Sequence, residues 1–286
     1  MIEIQKNNLY LVTGGSGFLG ETLIQSILEE GGNVRTIARN EGNLIKLKQK
    51  FPSIEIYPGD IKDTMFCKQA CMNVDGIFHL AAFKHVGLAE KHIKECIDSN
   101  LIGSMNLLQE TLDNKKIKFI IGISTDKAAQ VSGVYGATKL LMERLFNQYE
   151  LINLDCKYRL VRYGNILYST GSVLCKWKEL IKNGQEVVVT EPEATRFFWT
   201  IDQAVDLVKN CMKNAKDSSI FFPAMKAMKI KDLLEAMILK YSNGKNIPIK
   251  IIGLQPGENL HEKIMESGPY SNEVEYFTIE EIFELI

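Results

Sequence analysis

The chain has 286 residues, of which 45% are hydrophobic and 24% are charged, as in an ordinary globular protein. Its 34 lysines and arginines balance 35 aspartates and glutamates, and neither sign forms a block. This balance argues against binding through bulk charge to nucleic acid or to an anionic membrane surface. The length supports one large domain, or a domain with a smaller partner.

The six cysteines lack the repeated spacing of metal ligands, so we predict reduced thiols and no metal site. Cys67 and Cys71 are interpreted as two buried thiols. The N-terminus lacks the basic-then-apolar order of a signal peptide, and no apolar run reaches the roughly 20 residues of a membrane helix. We therefore expect a cytoplasmic protein without a membrane segment.

The first half of the chain alternates β-branched runs with amphipathic stretches. Strands are predicted at 9–13, 34–38, 54–57, 76–81, 118–124 and 157–164. Helices are predicted at 17–30, 41–51, 92–113 and 137–150. This alternation predicts an α/β fold with a Rossmann-like, doubly wound parallel sheet over residues 1–165. Residues 166–286 are predicted to form a smaller mixed lobe for substrate binding, with later crossings of the chain back into the first domain.

A glycine-rich stretch, VTGGSGFLGETL, joins the first predicted strand to the first predicted helix. Such a loop lets backbone N–H groups and the helix N-terminus approach a pyrophosphate, which predicts a dinucleotide cofactor. The second strand ends at Arg39 rather than at an acidic residue, which favours NADP; NAD is the alternative if Arg39 is only a surface charge. Asp60 and Ile61 are candidates for an adenine contact, although a loop aspartate often caps a turn.

Polar residues follow the fifth predicted strand, where ligands bind in open α/β sheets. Thr125, Asp126 and Lys127 come directly after an apolar run, and Tyr135 and Lys139 are one helical turn apart on the next helix. A lysine ammonium beside a phenol favours the phenolate, which can accept a hydroxyl proton during hydride transfer. The alternatives are an exposed helix pair for Tyr135 and Lys139, and a cap or salt bridge for Asp126 and Lys127.

The combination resembles the extended short-chain dehydrogenase/reductases, and more narrowly the UDP-N-acetylglucosamine 4,6-dehydratases. The segments AAFKHVGLAE, STDKAA, YGATK, VRYGNIL, GSVL, TRFFWT and PGENLHE occur in the order typical of that group. The resemblance implies an NADP-dependent dehydratase of UDP-N-acetylglucosamine, with C5 inversion favoured, in pseudaminic acid or related surface-glycan biosynthesis. It also implies a homo-oligomer, at least a dimer formed through a four-helix bundle.

The resemblance also implies catalytic roles. Lys127 would remove the C5 proton, Asp126 would protonate the leaving C6 hydroxyl, and Thr125 would hydrogen-bond the C4 oxygen. Tyr135 and Lys139 would carry out the oxidation at C4. Since Lys127 must be neutral to act as a base, we expect burial or a nearby positive charge to lower its pKa.

The resemblance and the strand ends together indicate two sets of binding residues. The candidate cofactor contacts are Gly14, Gly15, Ser16, Gly17, Phe18, Leu19, Arg39, Asn40, Asp60, Ile61, Leu80, Ala81, Ala82, Lys84, Tyr135, Lys139, Tyr163, Gly164 and Asn165. The candidate substrate contacts are Lys84, His85, Asn165, Ser172, Val173, Arg196, Gln255 and Glu258.

Two segments depart from the family pattern. Gln255 replaces an arginine that would contact the substrate diphosphate, and the loop 130–133 differs beside the catalytic tyrosine. A relative that makes or consumes a UDP-sugar 5,6-ene is therefore an alternative to the complete dehydratase. A non-enzymatic NADP-binding regulator is a second alternative, although such proteins typically lack the tyrosine–lysine pair.

Overall fold

The structure is a computed structural model that describes residues 2–286. Its strands, in chain order, are β1 (Leu9–Thr13), β2 (Asn33–Ala38), β3 (Glu55–Pro58), β4 (Gly76–His79), β5 (Phe119–Thr125), β6 (Lys157–Tyr163), β7 (Asn165–Ile166), β8 (Val187–Val189), β9 (Thr195–Trp199), β10 (Ile220–Phe221), β11 (Ala227–Lys229) and β12 (Ile249–Ile251). The predicted strands of the first half are therefore present, with ends that differ by one or two residues.

The helices are α1 (Phe18–Glu29), α2 (Glu41–Lys50), α3 (Thr64–Ala70), α4 (Val86–Ala89), α5 (Ile93–Ile97), α6 (Gly103–Asp113), α7 (Val134–Ile152), α8 (Val173–Asn183), α9 (Ile201–Asn214), α10 (Ile230–Tyr241) and α11 (Ile279–Leu285). The single helix predicted over 92–113 is instead α5 and α6 joined by a π-helical turn at Asp98–Ile102. None of the helices within residues 2–286 combines the length and apolar character required to cross a membrane.

The main sheet has seven parallel strands within the described residues, in the order β10-β6-β5-β4-β1-β2-β3. The predicted doubly wound, Rossmann-like α/β fold is thus confirmed. The strand order reverses between β1 and β4, and ligands of such sheets bind beyond the carboxyl ends of the strands at this point. The loops after β1, β4 and β5 therefore surround the candidate site.

The central strands are apolar on both faces because helices cover the sheet on both sides. In β5, Ile121 packs into one buried cluster with α1 and α9, and Ile120 packs into a second cluster with α3, α6 and α7. In β6, Val161 and Leu160 divide between the same two clusters. This alternation follows from the two-residue repeat of a strand and holds the strand ends rigidly.

A third buried cluster lies in the later part of the chain, where Trp177, Val189, Met237 and Ile282 pack among α8, α10 and α11. Two small sheets, β11-β9-β7 and β12-β8, accompany these helices. Between α8 and α10 the chain returns to the main sheet, where α9 packs on α1 and β10 pairs with β6. Residues from both parts of the chain consequently reach the same crevice.

Candidate active site

The loop at 14–19 turns from β1 into the first turn of α1. Gly14 has a φ of +69°, and a Cβ there would lie 3.0 Å from the Ala81 backbone. A Cβ on Gly20 would lie 2.5 Å from the Cα of Gly15, so the helix can approach the loop only without a side chain. Gly17 precedes α1, and no side chain caps its first N–H groups. This geometry fits a pyrophosphate at the helix N-terminus.

The residues predicted to contact the adenosine half lie after β2 and β3. Arg39 and Asn40 are exposed, and the Asn40 side chain also accepts a hydrogen bond from the α2 backbone. Asp60 accepts a hydrogen bond from the Lys62 backbone N–H at 3.1 Å, as a turn-capping aspartate does. The Ile61 side chain is buried, and its main-chain oxygen accepts a hydrogen bond from α6. Arg39 thus stands as a cation at the rim of the crevice.

The ends of β4 and β6 line the deeper part of the crevice. Backbone N–H groups of Leu80 and Ala81 both donate to the Thr13 hydroxyl at 3.0 Å, which fixes the β4 end beside the glycine loop; Ala82 follows directly. At the end of β6, Tyr163 is buried and Gly164 has no room for a Cβ, which would lie 2.5 Å from a backbone oxygen of β9. These segments are positioned to accommodate a ligand at the strand ends.

Three consecutive polar residues lie at the carboxyl end of β5, as the sequence predicts. Thr125 is the last residue of the strand, and Asp126 and Lys127 follow it. The Thr125 hydroxyl donates to Asp126 Oδ1 at 2.8 Å, and Lys127 Nζ lies 3.1 Å from the same oxygen. Asp126 is fully buried, and its other oxygen, Oδ2, has no hydrogen-bond partner among the described residues. A buried carboxylate oxygen without a partner is costly, which makes Asp126 an unusual buried group at this strand end.

The charge state of Lys127 differs from the expectation. Burial lowers the pKa of Lys127, but Asp126 and Glu262 outweigh burial and raise that pKa above its ordinary value. Glu262 Oε1 lies 3.6 Å from Lys127 Nζ and 3.7 Å from Arg196 Nε. The prediction of a lowered pKa is therefore wrong, because two carboxylates face the ammonium. Glu262 belongs to the PGENLHE segment, but no sequence spacing distinguished it as part of the site.

Tyr135 and Lys139 also depart from the expected arrangement. Burial raises the pKa of Tyr135 to about 12, against a lowering by Lys127 and by the Thr125 hydroxyl. Burial lowers the pKa of Lys139 to about 8, and its Nζ donates to Met142 Sδ at 3.2 Å. The cation that favours the phenolate of Tyr135 is Lys127, so the prediction that Lys139 lowers this pKa is wrong.

The PGENLHE segment covers the site from the later part of the chain. Gly257, with a φ of +81°, forms a turn in which the Glu258 backbone N–H donates to the Gln255 carbonyl and the Glu258 carboxylate accepts from the Gln255 backbone. The Gln255 amide donates to the nearby Gly253 carbonyl. The Gly257 carbonyl accepts a hydrogen bond from Ser132, beside Tyr135. The predicted substrate residues Gln255 and Glu258 are thus exposed or half-buried at the rim, and both are engaged in this turn.

Other predicted substrate residues lie on the loops after β4 and β7. Lys84 Nζ donates to the Thr170 carbonyl at 3.2 Å, and a Cβ on Gly171 would touch His85, so these two loops meet. Burial lowers the pKa of Lys84, and burial together with Lys84 lowers the pKa of His85. Lys84 therefore supplies a partly desolvated cation at this edge, and His85 beside it is held toward its neutral form.

The remaining predicted substrate residues lie on β7, at the start of α8 and on β9. Asn165 lies in β7 and donates to the Phe197 carbonyl at 3.3 Å. Ser172 precedes α8 without capping it by its side chain, and Val173 begins that helix. The N-terminus of α8 consequently faces the same loops. Arg196 is mostly buried, and its Nη1 donates to two backbone carbonyls, so it points inward near Lys127.

A family model described as polysaccharide biosynthesis protein matches residues 10–283. The chain belongs to this family. A relative in this family is the UDP-N-acetylglucosamine 4,6-dehydratase (inverting) of Campylobacter jejuni, which is 34% identical over 92% of the chain and 78% of the relative. An uncharacterised membrane protein of Methanocaldococcus jannaschii is 39% identical over 98% of the chain and 85% of the relative.

Among solved structures, this member of the polysaccharide biosynthesis protein family is similar to Pen from Bacillus thuringiensis. The two have 30% sequence identity and a TM-score of 0.94, and the match covers 99% of this chain and 98% of the other. The resemblance to the extended short-chain dehydrogenase/reductases, and to UDP-N-acetylglucosamine 4,6-dehydratases within them, is thus confirmed.

Proposed function

We propose that the protein is an NADP-dependent nucleotide-sugar 4,6-dehydratase that acts on UDP-N-acetylglucosamine, with inversion at C5. The observation that carries the proposal is a buried acid–base pair, Asp126 and Lys127, beside Tyr135 at the carboxyl end of β5. An enzyme that only oxidises and re-reduces a sugar needs the tyrosine but no such pair. The loss of water needs both an acid and a base, and this pair supplies them.

The cofactor fits the residues that are present, since the loop at 14–19 and the uncapped start of α1 suit its pyrophosphate and Arg39 suits a 2′-phosphate. When bound, the cofactor would supply the redox chemistry, as an acceptor for the C4 hydride of the sugar and its donor to C6. Tyr135 accepts the proton of the C4 hydroxyl, and Thr125 hydrogen-bonds that oxygen. Lys139 lies one helical turn after Tyr135, and with a pKa of about 8 its amine is still mostly protonated at neutral pH.

The dehydration requires a neutral amine and a protonated carboxyl, whereas the salt bridge between Lys127 and Asp126 pairs an ammonium with a carboxylate. The hydrogen bond of 3.1 Å between them provides the route, since transfer of one proton from Lys127 to Asp126 generates both reactive forms at once. Lys127 then takes the C5 proton, and Asp126 gives its proton to the departing C6 hydroxyl, which leaves as water. Both groups regain their starting charges, so the site needs no external proton for this step.

The substrate's nucleotide would lie between the edge formed by Lys84 and His85 and the start of α8, with Ser172 and Val173. The Lys84 ammonium and a helix N-terminus both favour a diphosphate. Gln255 cannot supply the charge of an arginine at the rim, which is the feature that favours the second candidate, an enzyme that makes or consumes a UDP-sugar 5,6-ene.

We also propose that the protein is a homo-oligomer. Apolar side chains are exposed along neighbouring helices: Ile102 before α6, Met105 on α6, and Leu141 on α7, with exposed fractions of 37%, 39% and 50%. Exposed apolar surface of this kind is typical of a protein interface, and two helices from each of two copies would make a four-helix bundle.

The experiment that tests the function is incubation with UDP-N-acetylglucosamine in D₂O, followed by NMR. We expect a 4-keto-6-deoxy product with deuterium at C5. Turnover of a UDP-sugar 5,6-ene without turnover of UDP-N-acetylglucosamine would replace the first candidate by the second. The Tyr135→Phe variant is the control for the assigned chemistry, because an unchanged rate in that variant would remove Tyr135 from the mechanism. NADP binding without turnover of either sugar in the wild type would support a non-enzymatic NADP-binding protein instead.

A further inference from the structure

Glu262 is a buried carboxylate that the proposed chemistry does not use. It is 1% exposed, and it arrives from the segment that follows β12, far along the chain from Lys127. The backbone N–H of Glu262 donates to the Ser271 hydroxyl at 2.9 Å, which fixes its position independently of its side chain. Its Oε1 faces two cations, Lys127 at 3.6 Å and Arg196 at 3.7 Å.

Lys127 and the charged side chains around it comprise two positive and two negative groups. Asp126 faces it from the same turn, Glu262 from the covering segment, and Arg196 from β9, while the Tyr135 hydroxyl faces it from α7. Burying a carboxylate costs free energy unless cations balance it, so Glu262 compensates Arg196 as much as Lys127. The four charges therefore divide into two neutral pairs.

This division has a chemical consequence for the acid–base pair. When Lys127 passes its proton to Asp126, that pair becomes uncharged, and the remaining charges of Glu262 and Arg196 still cancel. Without Glu262, the uncompensated Arg196 guanidinium would repel the Lys127 ammonium. Without Arg196, the uncompensated Glu262 carboxylate would bind that ammonium more tightly.

We infer that Glu262 is a positioning residue for the Asp126–Lys127 pair: it directs the Lys127 ammonium and, together with Arg196, sets how readily Lys127 releases its proton. The catalytic part of this inference rests on the proposed function. The electrostatic part does not, because it concerns only the charges of the protein itself. The Glu262 carboxylate and the Arg196 guanidinium paired with it have opposite charges, so removing one or the other should shift the Lys127 amine in opposite directions.

The test measures the Lys127 amine directly. Acetic anhydride reacts with neutral amines, so trace labelling at a series of pH values, with Lys127 quantified by mass spectrometry, reports its neutral fraction without any catalysis. At a fixed pH of about 9, we expect Glu262→Gln to increase Lys127 labelling by about tenfold, as a decrease of one pKa unit would. We expect Arg196→Gln to decrease it. Labelling of exposed lysines serves as the internal reference.

Glu273→Gln is the matched control, since Glu273 lies in the same part of the chain, is exposed, and accepts a hydrogen bond only from the Tyr270 backbone. It should leave Lys127 labelling unchanged. Equal labelling in the wild type and in Glu262→Gln, or shifts in the same direction for the Glu262 and Arg196 variants, would overturn the inference. If Glu262→Gln fails to fold, Glu262→Asp keeps the charge but draws it back from Lys127 by one methylene, and it should still increase labelling, by less than tenfold, against the decrease in Arg196→Gln.

Activity adds a second readout. If the proposed function holds, the pH limb that reports Lys127 should move to lower pH in Glu262→Gln, with kcat changed more than KM. Absence of turnover in the wild type would reject the proposed function while leaving the labelling result intact, so the two failures are distinguishable.

Discussion

Arg162 provides the sharpest test of how the two parts of the chain are joined. This arginine lies in β6, is 1% exposed, and makes two hydrogen bonds to the buried Glu143 of α7, at 2.7 and 2.6 Å. It also donates to the Ile264 carbonyl at 3.0 Å and lies 3.2 Å from Glu266. One side chain thus links the helix of Tyr135 to the segment that carries Glu262.

Replacing Arg162 by methionine keeps most of the volume but leaves the Glu143 carboxylate buried without its cation. Breaking a buried ion pair by removing one partner costs about 3–5 kcal/mol. For a chain of this size, that corresponds to a fall in melting temperature of roughly 6–15 °C. The double variant Arg162→Met/Glu143→Leu removes both charges, so it should recover most of the lost stability.

Urea unfolding followed by tryptophan fluorescence, with calorimetry for the melting temperature, gives the free energies of unfolding. Arg144→Gln is the matched control, because Arg144 is exposed on the same helix and should change stability by less than about 0.5 kcal/mol. A loss below about 1 kcal/mol in Arg162→Met would refute the reasoning. So would a double variant that is as unstable as the single one.

Three further outcomes are expected. Burial, with a smaller effect of Lys139, lowers the pKa of His79 to about 3, so the unfolded chain binds a proton below pH 6.5 that the folded chain does not. Stability should fall by about 2 kcal/mol between pH 6.5 and 4.5, and His79→Gln should lack this component of the pH dependence, as acid titrations of unfolding would show. Arg39→Ala should weaken NADP binding about 10- to 100-fold in calorimetry while barely affecting NAD, and an equal effect on both would contradict the 2′-phosphate assignment. Leu141→Glu should convert a dimer to a monomer in light scattering, whereas Leu151→Glu on the 82% exposed Leu151 should not, and a monomeric wild type would contradict the proposed interface.

The family resemblance was readable from short motifs, because their chemistry depends on spacing along one element. Tyr135 and Lys139 lie on one helix, and Asp126 and Lys127 follow one strand, so the chain itself brings each pair together. The single continuous helix expected at 92–113 is the clearest local error. A π-helical turn differs from an α-helical turn by one inserted residue, which leaves the apolar spacing almost unchanged.

The amino-acid sequence alone determined the alternation of strands and helices, the glycine loop, and the delivery of a hydroxyl, a carboxylate and an amine to the end of β5. These follow from local periodicity and from the rule that parallel strands end at one edge of a sheet. Only the tertiary structure decided the charge on Lys127 and the partner of Lys139. A pKa depends on the sum of all charges and of burial around a group, and here the decisive charge, Glu262, comes from a distant segment that folding brings within 3.6 Å.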